Sequence, residues 1–109
     1  NWLGDIMIRI KVLKKDNNIE KITFRGHANY AEYGKDIVCA AASATVLTTI
    51  NGILSLDSST IDVIQKDNNI DISIIKHNNI SDKLLSNMLN SLKTIRRNYP
   101  KNIEIIEEE

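Results

Sequence analysis

Residues 6–13 read Ile-Met-Ile-Arg-Ile-Lys-Val-Leu, with apolar side chains at positions 6, 8, 10 and 12. A period of two is typical of a strand that buries one face. The turn formers Lys-Asp-Asn-Asn follow at 15–18, and residues 19–25 place Ile22 and Phe24 on one face of a second strand. Because Asn and Asp adopt turn conformations readily, this stretch predicts a β-hairpin.

A second strand pair and a last short strand are predicted further along the chain. Residues 60–66 and 70–75 form the pair, joined by Asp-Asn-Asn at 67–69, and positions 70, 72 and 74 are all isoleucine. Residues 103–106 read Ile-Glu-Ile-Ile and predict the last strand, with a solvated tail at 107–109.

Two further stretches predict helices. Residues 37–50 are rich in alanine and lack proline and glycine, with Asp36 as the expected N-cap and Asn-Gly at 51–52 as the expected end. The second helix is predicted from Ser81 or Asp82 to about Tyr99, where Pro100 stops it. Its apolar side chains recur every three or four residues, at positions 84, 85, 88, 92, 95 and 99.

The predicted order of elements is therefore β-β-α-β-β-α-β. It indicates an α+β fold with two helices packed on one face of a mainly antiparallel sheet. The length of 109 residues fits one domain. We expect that domain to span residues 7–109, with Met7 as the natural start and residues 1–6 as an added segment.

Composition limits the class of protein. Lys plus Arg and Asp plus Glu both number 14, and this zero net charge disfavours a nucleic-acid binder. The single cysteine excludes an internal disulfide and suits a reducing cytoplasm. No apolar run approaches the ~20 residues that cross a bilayer. One Cys and two distant His offer no metal-ligand spacing, and no phosphate-binding glycine loop is present, so neither a metal nor another cofactor is expected.

The pair Cys39 and His27 is the strongest chemical candidate. Cys39 is predicted in the first turn of the first helix, where free amides and the helix dipole favour a thiolate. His27 lies twelve residues earlier, at the predicted end of a strand, and a loop at 26–35 leads to the helix. An imidazole within reach of a thiol is the usual arrangement for covalent catalysis. The alternative is that Cys39 is a small buried core residue.

Asp36 and Ser43 each have two interpretations. Asp36 caps the helix, or it orients His27 or steers a substrate. Ser43 lies four residues after Cys39 on the same helical face. Its hydroxyl either donates a hydrogen bond to the reacting centre or donates one to the backbone carbonyl of residue 39.

The loop offers a candidate substrate surface in Tyr30, Glu32, Tyr33 and Gly34, and its two glycines, at 26 and 34, would let it close over a substrate. Such loop residues also occur without any role. His77 lies in a turn-like Lys-His-Asn-Asn stretch and is predicted to be exposed and structural.

Residues 26–43 read Gly-His-Ala-Asn-Tyr-Ala-Glu-Tyr-Gly-Lys-Asp-Ile-Val-Cys-Ala-Ala-Ala-Ser. This segment resembles the ribosomal-processing cysteine protease family, Prp, whose mark is Gly-His-Ala followed by Asp-Ile-Val-Cys-Ala-Ala and then Ser. The match runs uninterrupted over eighteen positions at the family's spacing. One departure is Ala42, where the family commonly has a bulkier aliphatic residue.

The resemblance implies an activity and roles for particular residues. Family members remove an N-terminal extension from a large-subunit ribosomal protein, cutting on the C-terminal side of an aromatic pair, and are generally homodimers. By position, Cys39 would be the nucleophile and His27 the general base. Asp36 and Ser43 match positions linked to activity, and Gly26 would let the loop open and close.

Two other classes of function stay open. The domain would be a non-catalytic ribosome-assembly factor if it only bound a partner, using a basic patch on the first hairpin formed by Lys11, Lys14, Lys15, Lys21 and Arg25. It would be a thiol redox sensor if Cys39 were reversibly oxidised and no peptide were hydrolysed.

Overall fold

The computed structural model describes residues 8–26, 33–67 and 69–109, and of residues 33–36 it describes the backbone. The order of elements confirms the predicted β-β-α-β-β-α-β. The strands and helices are β1 (Ile8–Lys15), β2 (Asn18–Gly26), α1 (Tyr33–Leu56), β3 (Ile61–Lys66), β4 (Asn69–Ile74), α2 (Asn79–Asn98) and β5 (Ile103–Glu108).

The five strands form one sheet in the order β3-β4-β2-β1-β5. The pairs β1–β2, β2–β4 and β3–β4 are antiparallel, and only β1–β5 is parallel. Asp16, Asn17 and Asp67 have positive φ at the two hairpin turns. Both predicted hairpins are confirmed, because these residue types adopt the left-handed backbone that the turns require.

Both helices bury their apolar sides in one core with the inner face of the sheet. Alternate residues of β1, Ile8, Ile10 and Val12, are fully buried, and so is Ile72 of β4. The buried residues of α1 recur at helical spacing: Val38, Ala42, Val46, Ile50 and Ile53. Those of α2 that join the same core are Leu85, Met88, Leu89 and Leu92. The opposite face of the sheet is open and holds several charged residues of the strands, among them Arg9, Lys11 and Arg25.

Helix α1 is longer than predicted at both ends. It begins at Tyr33, so Asp36 lies inside the helix and is not its N-cap. It continues through Asn51 and Gly52 to Leu56, because buried residues on both sides, Ile50 and Ile53, hold this part of the helix against the core. The local glycine penalty of about 1 kcal/mol is smaller than the stabilisation from burying two isoleucines.

Helix α2 and strand β5 also begin or end away from the predicted residues. The N-cap of α2 is Asn78, whose side-chain oxygen accepts a 2.8 Å hydrogen bond from the Ser81 amide, so neither Ser81 nor Asp82 is the cap. Strand β5 extends to Glu108, where it stays in register with Leu13 of β1. The expected solvated tail is thus largely part of the sheet.

One segment of α1 is longer and more apolar than the sequence analysis assumed. Residues Ile37–Leu56 are long and apolar enough to cross a membrane by length and composition. In the fold, one side of this helix is part of the core described above. A core helix passes the same test, so the segment is weak evidence for a membrane span.

Candidate active site

The end of β2 leads directly into the segment with the predicted base. Gly26 is the last residue of β2, is half-buried, and lies in register with Ile8 at the start of β1. His27 follows it in the chain. His27, Tyr30 and Glu32 lie outside the described residues. The structure therefore places the chain up to Gly26, the residue before His27.

Cys39 lies on α1 and is half-buried, packed against the edge of the core. Its neighbour Val38 is fully buried, so the helix cannot turn without exposing an apolar side chain. The packing of Val38 in the core therefore fixes the side of α1 on which Cys39 lies.

The predicted position of Cys39 in the first helical turn is wrong. Because α1 begins at Tyr33, Cys39 is the seventh residue of the helix and lies in its second turn. The first four amides of a helix have no intrahelical partner, and here these belong to residues 33–36. The effect of the helix dipole is concentrated in the first turn, so it favours a Cys39 thiolate less than the sequence analysis assumed.

The remaining predicted site residues on α1 lie within two turns of Cys39. Tyr33, Gly34 and Asp36 are in the first turn, and their side chains lie outside what the structure describes. Ser43 lies one turn beyond Cys39 and is half-buried like it. The helix thus aligns Cys39 and Ser43 on one side, as the four-residue spacing predicts.

The second histidine of the chain is engaged elsewhere. His77 lies in the connection between β4 and α2, with Nε2 2.7 Å from Glu20 Oε2 and Nδ1 3.0 Å from Asp82 Oδ1. The hydrogen bond to Asp82, followed by that to Glu20, raises the pKa of His77 above its usual value. Both ring nitrogens contact carboxylates, as expected for a structural residue, and of the two histidines His27 is left as the candidate base.

A row of four charges crosses the open face of the sheet near the end of β2. Arg25 Nη1 lies 2.6 Å from Asp71 Oδ1 on β4, and Arg9 Nε lies 3.3 Å from Glu104 Oε1 on β5. Arg9 and Arg25 are directly opposite in the β1–β2 register. The sequence analysis missed the pairing of Arg25 because 46 residues separate it from Asp71.

The predicted basic patch is divided between two faces. Lys11, Lys21 and Arg25 alternate with buried residues and so lie on the open face, where Arg25 is paired with Asp71. Lys14 instead pairs with Glu107 at 2.7 Å. Within residues 8–26, 33–67 and 69–109, no group of three or more His, Cys, Asp or Glu side chains could hold a metal ion.

Comparison with known proteins shows a consistent similarity. The profile of the family described as cysteine protease Prp matches residues 7–104. A ribosomal processing cysteine protease Prp from Staphylococcus aureus is 35% identical over 103 residues, which cover 91% of this chain and 97% of the relative.

Solved structures extend this similarity to the fold. The S. aureus protease Prp in complex with a substrate peptide superposes with a TM-score of 0.85 at 33% identity, covering 94% of this chain and all of that one. The same protease with a covalently linked product peptide gives a TM-score of 0.84. A Streptococcus mutans protein at 24% identity gives 0.86 over 94% of the chain, which shows the shared fold alone.

Proposed function

The chain belongs to the cysteine protease Prp family, and from that membership we propose that its nucleophile is Cys39 and its general base is His27. The observation that supports this most is the covalently linked product peptide of the S. aureus relative. A thiol protease forms such a bond through its nucleophile, and the present chain contains one cysteine. The engagement of His77 by two carboxylates supports His27 as the base.

The proposed reaction follows the usual course of thiol proteases. His27 takes the proton from the Cys39 thiol, and the sulfur attacks the scissile carbonyl carbon to give a tetrahedral oxyanion. The amides at the start of α1 stabilise that oxyanion. His27 then protonates the leaving amine, and water hydrolyses the thioester to release the acid product and restore the thiol.

The other predicted site residues have supporting roles in this proposal. Asp36 orients His27, and Ser43 donates a hydrogen bond near the sulfur. Tyr30, Glu32 and Tyr33 contact the substrate. Gly34, next to Tyr33 in the first turn of α1, belongs to the same substrate surface, and Gly26 lets the segment that follows it open and close.

We further propose that the substrate is the N-terminal extension of a large-subunit ribosomal protein, cut after an aromatic pair. The names of the relatives, which describe ribosomal processing, support this substrate. The family resemblance also supports a cytoplasmic homodimer. A non-catalytic assembly factor is less favoured, because the basic residues on which it depended lie on two faces and two of them are paired with carboxylates.

The test is cleavage of a peptide that spans the extension junction, followed by mass spectrometry. We expect one cut after the aromatic pair by the wild-type protein, and a loss of at least ~10³-fold in rate for Cys39→Ala and His27→Ala. His77→Ala is the matched control and should retain cleavage. Turnover by Cys39→Ala would refute the nucleophile. If no peptide is cleaved and Cys39 is reversibly oxidised, the result would favour a redox sensor. If no peptide is cleaved and Cys39→Ala binds ribosomes as well as the wild type, the result would favour an assembly factor.

A further inference from the structure

We propose that His77 forms a proton-dependent bridge between β2 and α2. With both ring nitrogens protonated, it holds Glu20 and Asp82 at once. After it loses one proton, it keeps Asp82 and releases Glu20. Glu20 lies near the start of β2, whereas the chain reaches His27 only after the other end of that strand. The bridge thus uses none of the proposed catalytic residues.

The long-range half of the bridge depends on a bulge in β2. The residues on either side of Glu20 are in register with the consecutive residues Leu13 and Lys14 of β1, so Glu20 is the extra residue of the bulge. Bulges can change the direction in which a side chain points. Here Glu20 Oε2 lies 2.7 Å from His77 Nε2, although 57 residues separate the two in sequence.

The local half of the bridge joins His77 to the first turn of α2. Its Nδ1 lies 3.0 Å and 3.2 Å from the two carboxylate oxygens of Asp82. The Asp82 amide donates to the Asn78 carbonyl at 2.9 Å. On the other side of the ring, the Ile75 amide donates to the Thr60 carbonyl at 2.8 Å. The backbone is thus held on both sides of His77, which keeps the ring beside Asp82.

Two charged groups face the ring, Glu20 from β2 and Asp82 from α2. Among the residues that the structure describes, neither carboxylate forms an ion pair with a lysine or an arginine. Lys76, the residue before His77, lies 3.7 Å from Asp57 instead. The lysine of β1 beside the bulge pairs with β5. The charge of the ring therefore decides how the two carboxylates are held.

The number of protons on the ring decides how many of its contacts are hydrogen bonds. Ionised carboxylates only accept, and an imidazolium can donate from both nitrogens, one to each carboxylate. The neutral ring has one N–H, so its other nitrogen turns a lone pair towards a carboxylate, and that contact opens. The hydrogen bonds to Asp82 and then to Glu20 raise the pKa of His77, so the change takes place above the ordinary value of 6.5.

The contact with Glu20 is the one that opens. Asp82 faces Nδ1 with both oxygens from a position five residues away, and an Nδ1–H held by a carboxylate is a common way to fix the tautomer of a histidine. Glu20 has the longer side chain, which loses more conformational entropy when it is held. Its carboxylate is also partly exposed, so water can solvate it after release.

The experiment follows the ring of His77 by NMR in isotopically labelled protein from about pH 5 to about pH 9, a range that spans the titration of histidine. His77→Gln identifies the signals of the ring by their loss. Two quantities are measured: which ring nitrogen is protonated, and whether nuclear Overhauser contacts join the ring to Glu20 and to Asp82. We expect both contacts at low pH. As the ring titrates, the contact with Glu20 should be lost, while Nδ1–H and the contact with Asp82 remain.

Glu20→Gln gives the sharpest comparison. Its amide can accept from Nε2–H in the charged ring and donate to the bare Nε2 of the neutral ring, so the contact should persist at both ends of the pH range. The pKa of His77 should be lower than in the wild type, because a charge has been removed. Glu104→Gln removes an exposed carboxylate that pairs with Arg9, and this control should behave as the wild type.

Three results would overturn the bridge. In the first, Glu20 stays in contact with the ring on both sides of the titration, and the contact is then purely structural. In the second, the neutral ring keeps its proton on Nε2 and separates from Asp82. In the third, Glu20→Gln opens as the wild type does, so that the number of protons is not the cause. None of these measurements needs cleavage, so failure of the proposed function would leave them unaffected.

Discussion

The two helices lie on the same face of the sheet but make opposite use of their polar residues. Helix α1 has no charged residue between Ile37 and Leu56. Two of its hydroxyl groups donate to carbonyls of the same helix, Thr45 to Ala41 at 2.8 Å and Thr49 to Thr45 at 2.9 Å. Helix α2 connects to other elements through its polar residues. Its Asp82 contacts His77, and its Lys93 lies 2.9 Å from Glu107 on β5.

This difference separates a helix with polar contacts to other elements from the helix that contains the proposed nucleophile. In addition to its buried apolar side, α2 is joined to β5 through Lys93 and Glu107, and to β2 through Asp82 and His77, which contacts Glu20. Helix α1 packs its buried side into the core, and the half-buried Cys39 and Ser43 lie beside that side. We therefore expect stability and activity to separate between the two helices.

The largest effect is expected from truncation in the core of α2. Leu92 is fully buried, so Leu92→Ala should lower the free energy of unfolding by about 2–5 kcal/mol. Leu56→Ala, at an exposed position of α1, should change it by less than about 0.5 kcal/mol. Urea denaturation measures both values, and a large loss in Leu56→Ala would contradict the assignment of roles.

The next effect concerns the N-cap of α2. Asn78→Ala removes the hydrogen bond to the Ser81 amide and should cost about 1 kcal/mol of stability. Its thermal unfolding midpoint should fall, while cleavage per folded molecule stays unchanged. Asn79→Ala, one residue further along the helix, is the matched control and should have little effect.

A smaller and pH-dependent effect is expected at Glu107. Lys14 and then Lys93 lower the pKa of Glu107 to about 2. Because the pKa is lower in the folded state, ionised Glu107 stabilises the fold at pH values above about 4.5. This stabilisation is lost as the pH falls towards about 2. Partial exposure limits it to about 1 kcal/mol. Glu107→Gln should therefore be less stable than wild type at pH 6 and nearly equal to it at pH 2, as measured by urea denaturation.

The smallest effect should come from His77 and has the opposite pH dependence. The pKa of His77 is raised in the folded state. Its contribution to stability is therefore complete at pH values below the ordinary pKa of 6.5, and it is lost as the pH rises through the raised pKa. We expect His77→Gln to reduce stability at pH 6 by about 0.5 kcal/mol or less, with no difference at pH 9. A difference that grows with pH would contradict the bridge to Glu20 and Asp82.

The sequence predicted the fold well where the signal was local. Alternating isoleucines and Asn-Asp turns predicted both hairpins, and the apolar spacing of α2 predicted its buried side. The helix ends were less accurate, because several polar residues compete for each cap. Asn78 caps α2, while Asp82, the other candidate, contacts His77 instead.

The candidate site was only partly predictable for a similar reason. The prediction that Cys39 and Ser43 lie on one side of α1 required only the period of a helix. The start of α1 at Tyr33 was missed because Gly34 is typical of loops, and this error put Cys39 one turn too early. The contacts of Arg25 with Asp71 and of Lys14 with Glu107 join residues far apart in sequence, for which a single chain gives no local signal.

The parallel pairing of β1 with β5 gives the protein a mechanical property. The two strands run side by side from Ile8 with Ile103 to Leu13 with Glu108. Tension applied to the chain before Ile8 and after Glu108 pulls the two strands past each other, so their hydrogen bonds are loaded together in shear and cannot open one at a time. Forced unfolding depends on the barrier to such a step. An unfoldase that pulls on the chain after Glu108 must therefore separate β5 from β1 before α2 is released.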